Sequence, residues 1–170
     1  LPADFPYPAV LKPVDGAGSR NVRLVQHADD TCASTRGERR WLLEPYRRGL
    51  AASVSLLCGP GASMTLEPCG QKLSEDGRFR YLGGYTPLPD TLRQRALQLA
   101  RRVADCLPPT VGYVGIDMVL AEDGPAWDVV IEINPRLTTS YLGLRRRVRG
   151  NLAQAMLGVA TGQPVELSFD

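Results

Sequence analysis

The stretch Val114-Gly-Ile-Asp117-Met-Val-Leu-Ala-Glu-Asp123-Gly124-Pro-Ala-Trp-Asp-Val-Val-Ile-Glu132-Ile-Asn134-Pro-Arg136 decides the fold. Two apolar, β-branched runs flank an Asp-Gly turn signal, the pattern of an antiparallel hairpin. Successive side chains of a strand point to opposite faces, so Glu132 and Asn134 share one face while Val129, Ile131 and Ile133 fill the other. If Asp123 and Gly124 are the central turn residues, Glu122 faces Pro125, Asp117 pairs with Val130, and Gly115 pairs with Glu132. Asp117, Glu132 and Asn134 then lie on one face, with the two acids as diagonal neighbours about 7 Å apart. One or two small cations can bridge that separation. Mg²⁺ suits it, because this ion takes hard oxygen donors and is usually held by one or two carboxylates plus substrate phosphates. Arg136, just past the strand end, offers a planar fork to phosphate oxygens. A half-exposed hairpin with a solvated outer face also produces alternating acids, although asparagine is a poor strand former.

A second segment, Val10-Leu-Lys12-Pro-Val-Asp-Gly16-Ala-Gly18-Ser19-Arg-Asn-Val22, reads as strand, Gly-rich loop, strand. Glycine lets backbone amides approach an anion closely, and Ser19 adds a hydroxyl. A plain hairpin with a flexible tip fits the same residues. Lys12 precedes the glycines and no Gly-Lys-Ser/Thr opens a helix, so this is neither a Walker A loop nor a dinucleotide-binding Gly pattern. Lys12 and Lys72 are the only lysines, which suggests that a point charge on a flexible stem is kept for a purpose.

A Val-Leu-Lys-Pro strand leading into a Gly-rich loop, followed about a hundred residues later by Gly-Ile-Asp…Glu-Ile-Asn-Pro-Arg, resembles the ATP-grasp superfamily of carboxylate-amine ligases. Trp41-Leu-Leu-Glu44-Pro45-Tyr46-Arg-Arg-Gly49 is similar to its hinge strand. Ala52-Ser-Val-Ser55, Gly83-Gly-Tyr-Thr-Pro87 and the run from Glu132 to Arg145 are most similar to the tyramine–glutamate ligases of methanofuran biosynthesis and their bacterial relatives. The resemblance implies an α+β fold of antiparallel sheets in two lobes clamping ATP. Residues 1–44 form the nucleotide-clamping lobe with the Gly-rich loop, and 45–170 the metal-binding and substrate lobe. Lys12 would contact the α/β phosphates, Gly16, Gly18 and Ser19 would close over them, and Glu44, Pro45 and Tyr46 would line the adenine pocket. Asp117, Glu132 and Asn134 would hold Mg²⁺, with Mn²⁺ as a substitute, and Arg136 would steady the transferring phosphoryl group or the acyl phosphate. The implied reaction joins a carboxylate to an amine and forms ADP; the finer resemblance points to glutamate and tyramine. A non-catalytic ATP sensor and an interaction domain with a polar strand face are the other readings the residues allow.

Two departures from the family pattern stand out. Leu50 and Ala51 follow Gly49 where many members carry an acid for the ribose. Only nine residues precede Val10, and neither the family's second phosphate-contacting lysine nor its amino-terminal domain is among them. The chain therefore reads as a piece of a longer polypeptide.

The formal net charge of +2 over 170 residues argues against broad adhesion to nucleic acid or membrane. The expected partners are small-molecule carboxylates and amines, and homo-oligomerisation is compatible with the sequence. Cys32, Cys58, Cys69 and Cys106 show no Cys-x-x-Cys spacing and read as reduced thiols of a cytoplasmic protein. His27, the single histidine, sits among polar residues, so Ser-His and Cys-His nucleophile chemistry has little to work with.

Ala28 to Arg40 reads as loop or short helix, and Asp76-Gly77 marks a further hairpin. From Asp90, a candidate N-cap, Leu92, Ala96, Leu99, Ala100, Val103, Ala104 and Leu107 repeat at helical spacing. A last helix runs from Asn151 to Val159. Thr138, Thr139, Ser140 and Tyr141 either line an acceptor pocket or cap a helix. Arg145, Arg146, Arg147 and Arg149 are either a solvated helix face or a trap for a substrate carboxylate.

Overall fold

The structure, a computed structural model, describes residues 1–16, 18–30 and 40–170. Most of the segment expected as loop or short helix, residues 31–39 with Cys32, lies outside the described residues. Contacts divide the chain into two compact units. One comprises Leu1–Arg48 with Lys72–Gly83, the other Gly49–Gln71 with Gly84–Asp170.

In the first unit, β1 (Ala9–Pro13) pairs antiparallel with β2 (Arg23–Val25) and β3 (Trp41–Pro45), giving the sheet order β2-β1-β3. Alternate residues Ala9 and Leu11 of β1 and Val25 of β2 are buried. That is the period of two of a half-buried strand.

The larger sheet has the order β7-β6-β4-β8-β9, with β5 also on β4. Its strands are β4 (Gly49–Gly59), β5 (Ala62–Thr65), β6 (Cys69–Leu73), β7 (Tyr81–Tyr85), β8 (Gly112–Ala121) and β9 (Val129–Asn134). Ser74 to Arg80 joins β6 and β7, closed by Ser74 N–H donating to Arg80 O at 2.9 Å, with Gly77 in the left-handed region at φ 72°. The Asp-Gly hairpin signal is thus realised.

The face of β4 bearing Ala52, Val54 and Leu56, with Val114, Ile116 and Met118 of β8, packs against Ala96 and Ala100 of α1 (Asp90–Cys106). Leu92, Leu99, Val103, Ala104 and Leu107 cover the rim of this cluster. The helical spacing was read correctly. The cap differs: Pro89 is the N-cap, and Asp90 lies in the first turn, where an acid favours the helix dipole without capping. On the opposite face Leu57 and Tyr113 join Leu144 of α2 (Ser140–Arg147) and Leu152 and Ala155 of α3 (Leu152–Ala160). Asn151 caps α3, its Oδ1 accepting from the N–H groups of Ala153 and Gln154. The short strands β10 (Val148–Arg149) and β11 (Ser168–Phe169) pair antiparallel.

The hairpin register departs from expectation. Val119 pairs with Val129 and Met118 with Val130, but Asp117 pairs with Glu132 and Gly115 with Asn134, so Ile131 is an extra, bulged residue. The Asp123-Gly124 two-residue turn is also absent. It would have required Pro125 to stand opposite Glu122, and proline has no N–H to give a ladder. Pro125 instead opens a one-turn 3₁₀ helix, Pro125–Trp127. Asp128 closes the connection, its Oδ1 accepting from Ala121 N–H at 2.8 Å.

The loop moves the register by one residue and the bulge moves it by one more. Parity is therefore conserved, and Glu132 returns to the face of Asp117. Ile131 and Ile133, expected on the face opposite Glu132 and Asn134, are 40 % and 43 % exposed. β9 is the sheet's last strand, and α1 packs on β4 and β8.

Candidate functional site

Cross-strand pairing sets a row of side chains across four strands on one face: Cys69 opposite Ser53, Ser53 opposite Asp117, and Asp117 opposite Glu132. Directly paired residues point to the same face, so the two carboxylates are nearest neighbours rather than the diagonal pair expected. Asn134, two residues beyond Glu132, is buried and donates Nδ2–H to Asp117 Oδ2 at 3.1 Å. Its Oδ1 accepts from Arg136 Nη2 at 3.0 Å. Gln71 of β6, which sequence reasoning missed, donates Nε2–H to Asp117 Oδ1 at 2.8 Å. Nothing in an isolated Gln-Lys dipeptide signals this. It follows only from the pairing of β6 with β4.

Burial raises the pKa of the Asp117 carboxyl above the ordinary value. The bond from Gln71 opposes this shift, the neighbouring Glu132 carboxylate adds to it, and Arg136 and Asn134 oppose it. Two like charges held side by side, one of them largely desolvated, are costly unless a cation joins them. Among the described residues no three His, Cys, Asp or Glu side chains cluster closely enough to hold a metal. Two carboxylates with a neutral amide oxygen fit an ion that completes its shell from water or phosphate, which is the habit of Mg²⁺.

A hydroxyl cluster borders the acids. Ser53 and Ser55, at alternate positions of an otherwise apolar strand, are buried. Ser53 Oγ lies 2.7 Å from Ser140 Oγ. Tyr113 O–H donates to Ser55 Oγ and lies 3.4 Å from Thr138 Oγ1. Gly115 makes this approach possible, because a Cβ there would stand 2.3 Å from Thr138 Cγ2. Thr139 occupies the N-cap position of α2 without a capping side-chain bond. Thr138 and Ser140 meet hydroxyls of the sheet instead, so the helix-cap reading of this quartet is not realised by a side-chain bond at Thr139.

In the first unit, Lys12 Nζ and Glu44 Oε2 form an ion pair at 2.8 Å. Lys12 opposes Leu42 and Glu44 opposes Val10 on adjacent strands, so the pair is diagonal. Gly18 and Ser19 both hold positive φ, 63° and 57°, and Gly16 N–H donates to Pro13 O at 3.3 Å. Tyr46 N–H is engaged by Pro8 O at 2.9 Å, and its ring stacks on Phe79 at 5.8 Å between centroids.

Residues 2–140 match the family model of the ATP-grasp domain, so the chain belongs to the ATP-grasp family. It is 27% identical over 132 residues to the tyramine–L-glutamate ligase of Methanocaldococcus jannaschii, covering 78% of this chain and 39% of that protein. The chain thus spans well under half the length of this curated relative. Among solved structures, it is similar to the L-amino acid ligase from Bacillus licheniformis, with a TM-score of 0.73, 20% identity, and coverage of 92% of this chain and 39% of that one. It is also similar to the N5-carboxyaminoimidazole synthetase from Staphylococcus aureus complexed with ADP, with a TM-score of 0.77, 13% identity, and coverage of 96% and 44%. At those identities the structural likeness establishes the fold, α+β with antiparallel sheets. No helix among the described residues is long and apolar enough to cross a membrane.

Proposed function

We propose that the chain is the ATP-binding and metal-binding portion of a ligase that joins a carboxylate to an amine through an acyl phosphate. The direct opposition of Asp117 and Glu132, tied through Asn134 to Arg136, carries this reading. The carboxylate oxygen of the acid attacks the γ-phosphorus of ATP and ADP leaves. The amine nitrogen then attacks the acyl carbon, phosphate leaves, and the nitrogen gives up a proton to water. Such transfers rest on positioning and charge neutralisation rather than on a side-chain nucleophile.

Asp117, Glu132 and the Asn134 oxygen would hold Mg²⁺, which supplies positive charge to the phosphates. Lys12 would add its ammonium to the phosphates, exchanging Glu44 for a phosphate oxygen. Gly16, Gly18 and Ser19 would close over them, while Pro45 and Tyr46 would border adenine. With its amide committed to Pro8, Tyr46 would contribute its carbonyl or ring rather than its N–H. Arg136 is suited to the charge that develops during transfer. The named relative supports glutamate as the acid and tyramine as the amine.

The test is ADP release by the intact protein with Mg²⁺, ATP, L-glutamate and tyramine. γ-Glutamyl amide formation is expected, with Glu132→Gln and Arg136→Ala each abolishing turnover. Arg136→Ala should keep most nucleotide affinity, because an interaction made mainly in the transition state acts on rate rather than on binding. Mg²⁺-ATP binding without ADP release for any acid and amine pair would replace the ligase by an ATP sensor.

A further inference from the structure

The arginine run that ends α2 divides into residues with different surroundings. Arg145 and Arg146 are exposed, and Arg149 pairs with Asp170 at 2.5 Å. Arg147 is only partly exposed, and among the described residues its guanidinium meets a neutral hydroxyl, Nη1 donating to Thr86 Oγ1 at 3.3 Å. That oxygen donates its own proton to Pro68 O at 3.0 Å. A charge-assisted bond to a carboxylate is typically about 2.7–2.9 Å, so Thr86 leaves most of the fork's capacity unspent. The acid that shares this neighbourhood, Glu67, is taken in bidentate fashion by Arg93 at 2.7 and 2.9 Å. A half-desolvated guanidinium without an acidic partner is costly to maintain and geometrically fitted to a planar oxyanion.

Arg147 also stands near the candidate site. Thr86 bonds the carbonyl of Pro68, the residue before Cys69, and the Arg147 charge acts on the buried Cys69 thiol, which donates to Glu67 O at 3.9 Å. Cys69 begins the row that runs through Ser53 to Asp117. Two residues along the same face of β6, roughly 7 Å further, Gln71 donates to Asp117. Cys69 and Asp117 are two strands apart on this face, about 10 Å across the sheet.

We propose that Arg147 captures a carboxylate that the reaction leaves untouched, so that the acid substrate is a dicarboxylate such as an acidic amino acid. This deepens the ligase reading and rests on it for the word substrate, while the anion site can be measured without turnover. The probes are L-glutamate and L-isoglutamine, in which the α-carboxylate is replaced by an amide, titrated calorimetrically into protein saturated with Mg²⁺ and a nonhydrolysable ATP analogue.

The wild type is expected to bind glutamate at least about 10-fold more tightly than isoglutamine, the span of a charge-assisted bond. Arg147→Ala should erase that preference, Arg147→Lys should restore part of it, and analogue affinity should stay within about twofold in both. Equal binding of the two probes by the wild type overturns the proposal, whatever the variants do. So does a preference that survives in Arg147→Ala. Loss of the preference in a variant of a protein that releases no ADP would leave the anion site standing and remove the ligase. ADP release with an unchanged glutamate KM in Arg147→Ala would do the reverse.

Discussion

Asn134 holds Asp117 with one end of its amide and Arg136 with the other, while Gln71 holds the second oxygen of Asp117. The carboxylate is therefore oriented before any ion arrives. Gln71→Ala removes one of these restraints without touching a proposed ligand, and such outer partners typically contribute about 10–100-fold in metal affinity. Mn²⁺ titration should show a loss of that order for Gln71→Ala; unchanged affinity would reduce Gln71 to a packing residue. Lys12→Ala should weaken binding of a nonhydrolysable ATP analogue by about 1.5–3 kcal/mol, the range for a charge-assisted hydrogen bond. An unaltered isotherm would take Lys12 out of the nucleotide site. Asp117, Glu132, Asn134 and Arg136 were legible because they lie in one hairpin, and their common face survives because the connection and the bulge each move the register by one residue. Gln71 and Ser53 reach the same row through strand pairings between distant parts of the chain, which local periodicity cannot register.

The hairpin between β8 and β9 is fastened from outside. Asp128 accepts from Ala121 N–H at 2.8 Å, from Arg95 Nε–H at 3.0 Å and from Arg95 Nη2–H, and Arg95 Nη2 also donates to Ala121 O. Arg95 thus ties α1 to the end of the hairpin, a role that apolar periodicity along the helix does not indicate. Removing one member of a largely buried ion pair leaves the other uncompensated and typically costs about 3–5 kcal/mol. Asp128→Ala should lower Tm by several degrees, on the order of 2–4 °C per kcal/mol for a chain of this length. A scan within 2 °C of the wild type would show that the clamp is dispensable. The hairpin's existence could be read from its residues, but its register could not. The Asp-Gly signal was outweighed by Pro125 and by the Asp128 side chain, and the bulge has no local sequence mark.

For the whole chain, the four cysteines read as reduced thiols without a Cys-x-x-Cys spacing. The structure gives the thiols individual characters. Burial pushes Cys69 up to about 11 and raises Cys58 as well, whereas Cys106 is exposed. The reactive form is the thiolate. Brief treatment of the native protein with iodoacetamide at pH 8 should therefore label Cys106 well before Cys58 and Cys69, as read by peptide mass mapping. Labelling of Cys69 at the rate of Cys106 would mean that α2 opens readily from the sheet. The family fold was legible because its motifs are spread across the chain. The hydroxyl row beside the acids was not, because Ser53 and Ser55 resemble ordinary polar interruptions until Tyr113, Thr138 and Ser140 are brought to them.

The bulge at Ile131 also gives the strand a reading frame. Asp117 already faces Glu132, with Ile131 as the extra residue in the register after Val130, so deleting Ile131 would close the strand while keeping Glu132 opposite Asp117 and Asn134 opposite Gly115. Deleting Ile133, two positions on, would instead carry Asn134 and Arg136 to the opposite side of the sheet, since a one-residue slip inverts every side chain beyond it. Mn²⁺ titration should find the ion-binding capacity retained in the first deletion and lost in the second. Length variation in this strand should accordingly be silent at one residue and ruinous at the next but one, much as a base can be spared before a start codon and not after it.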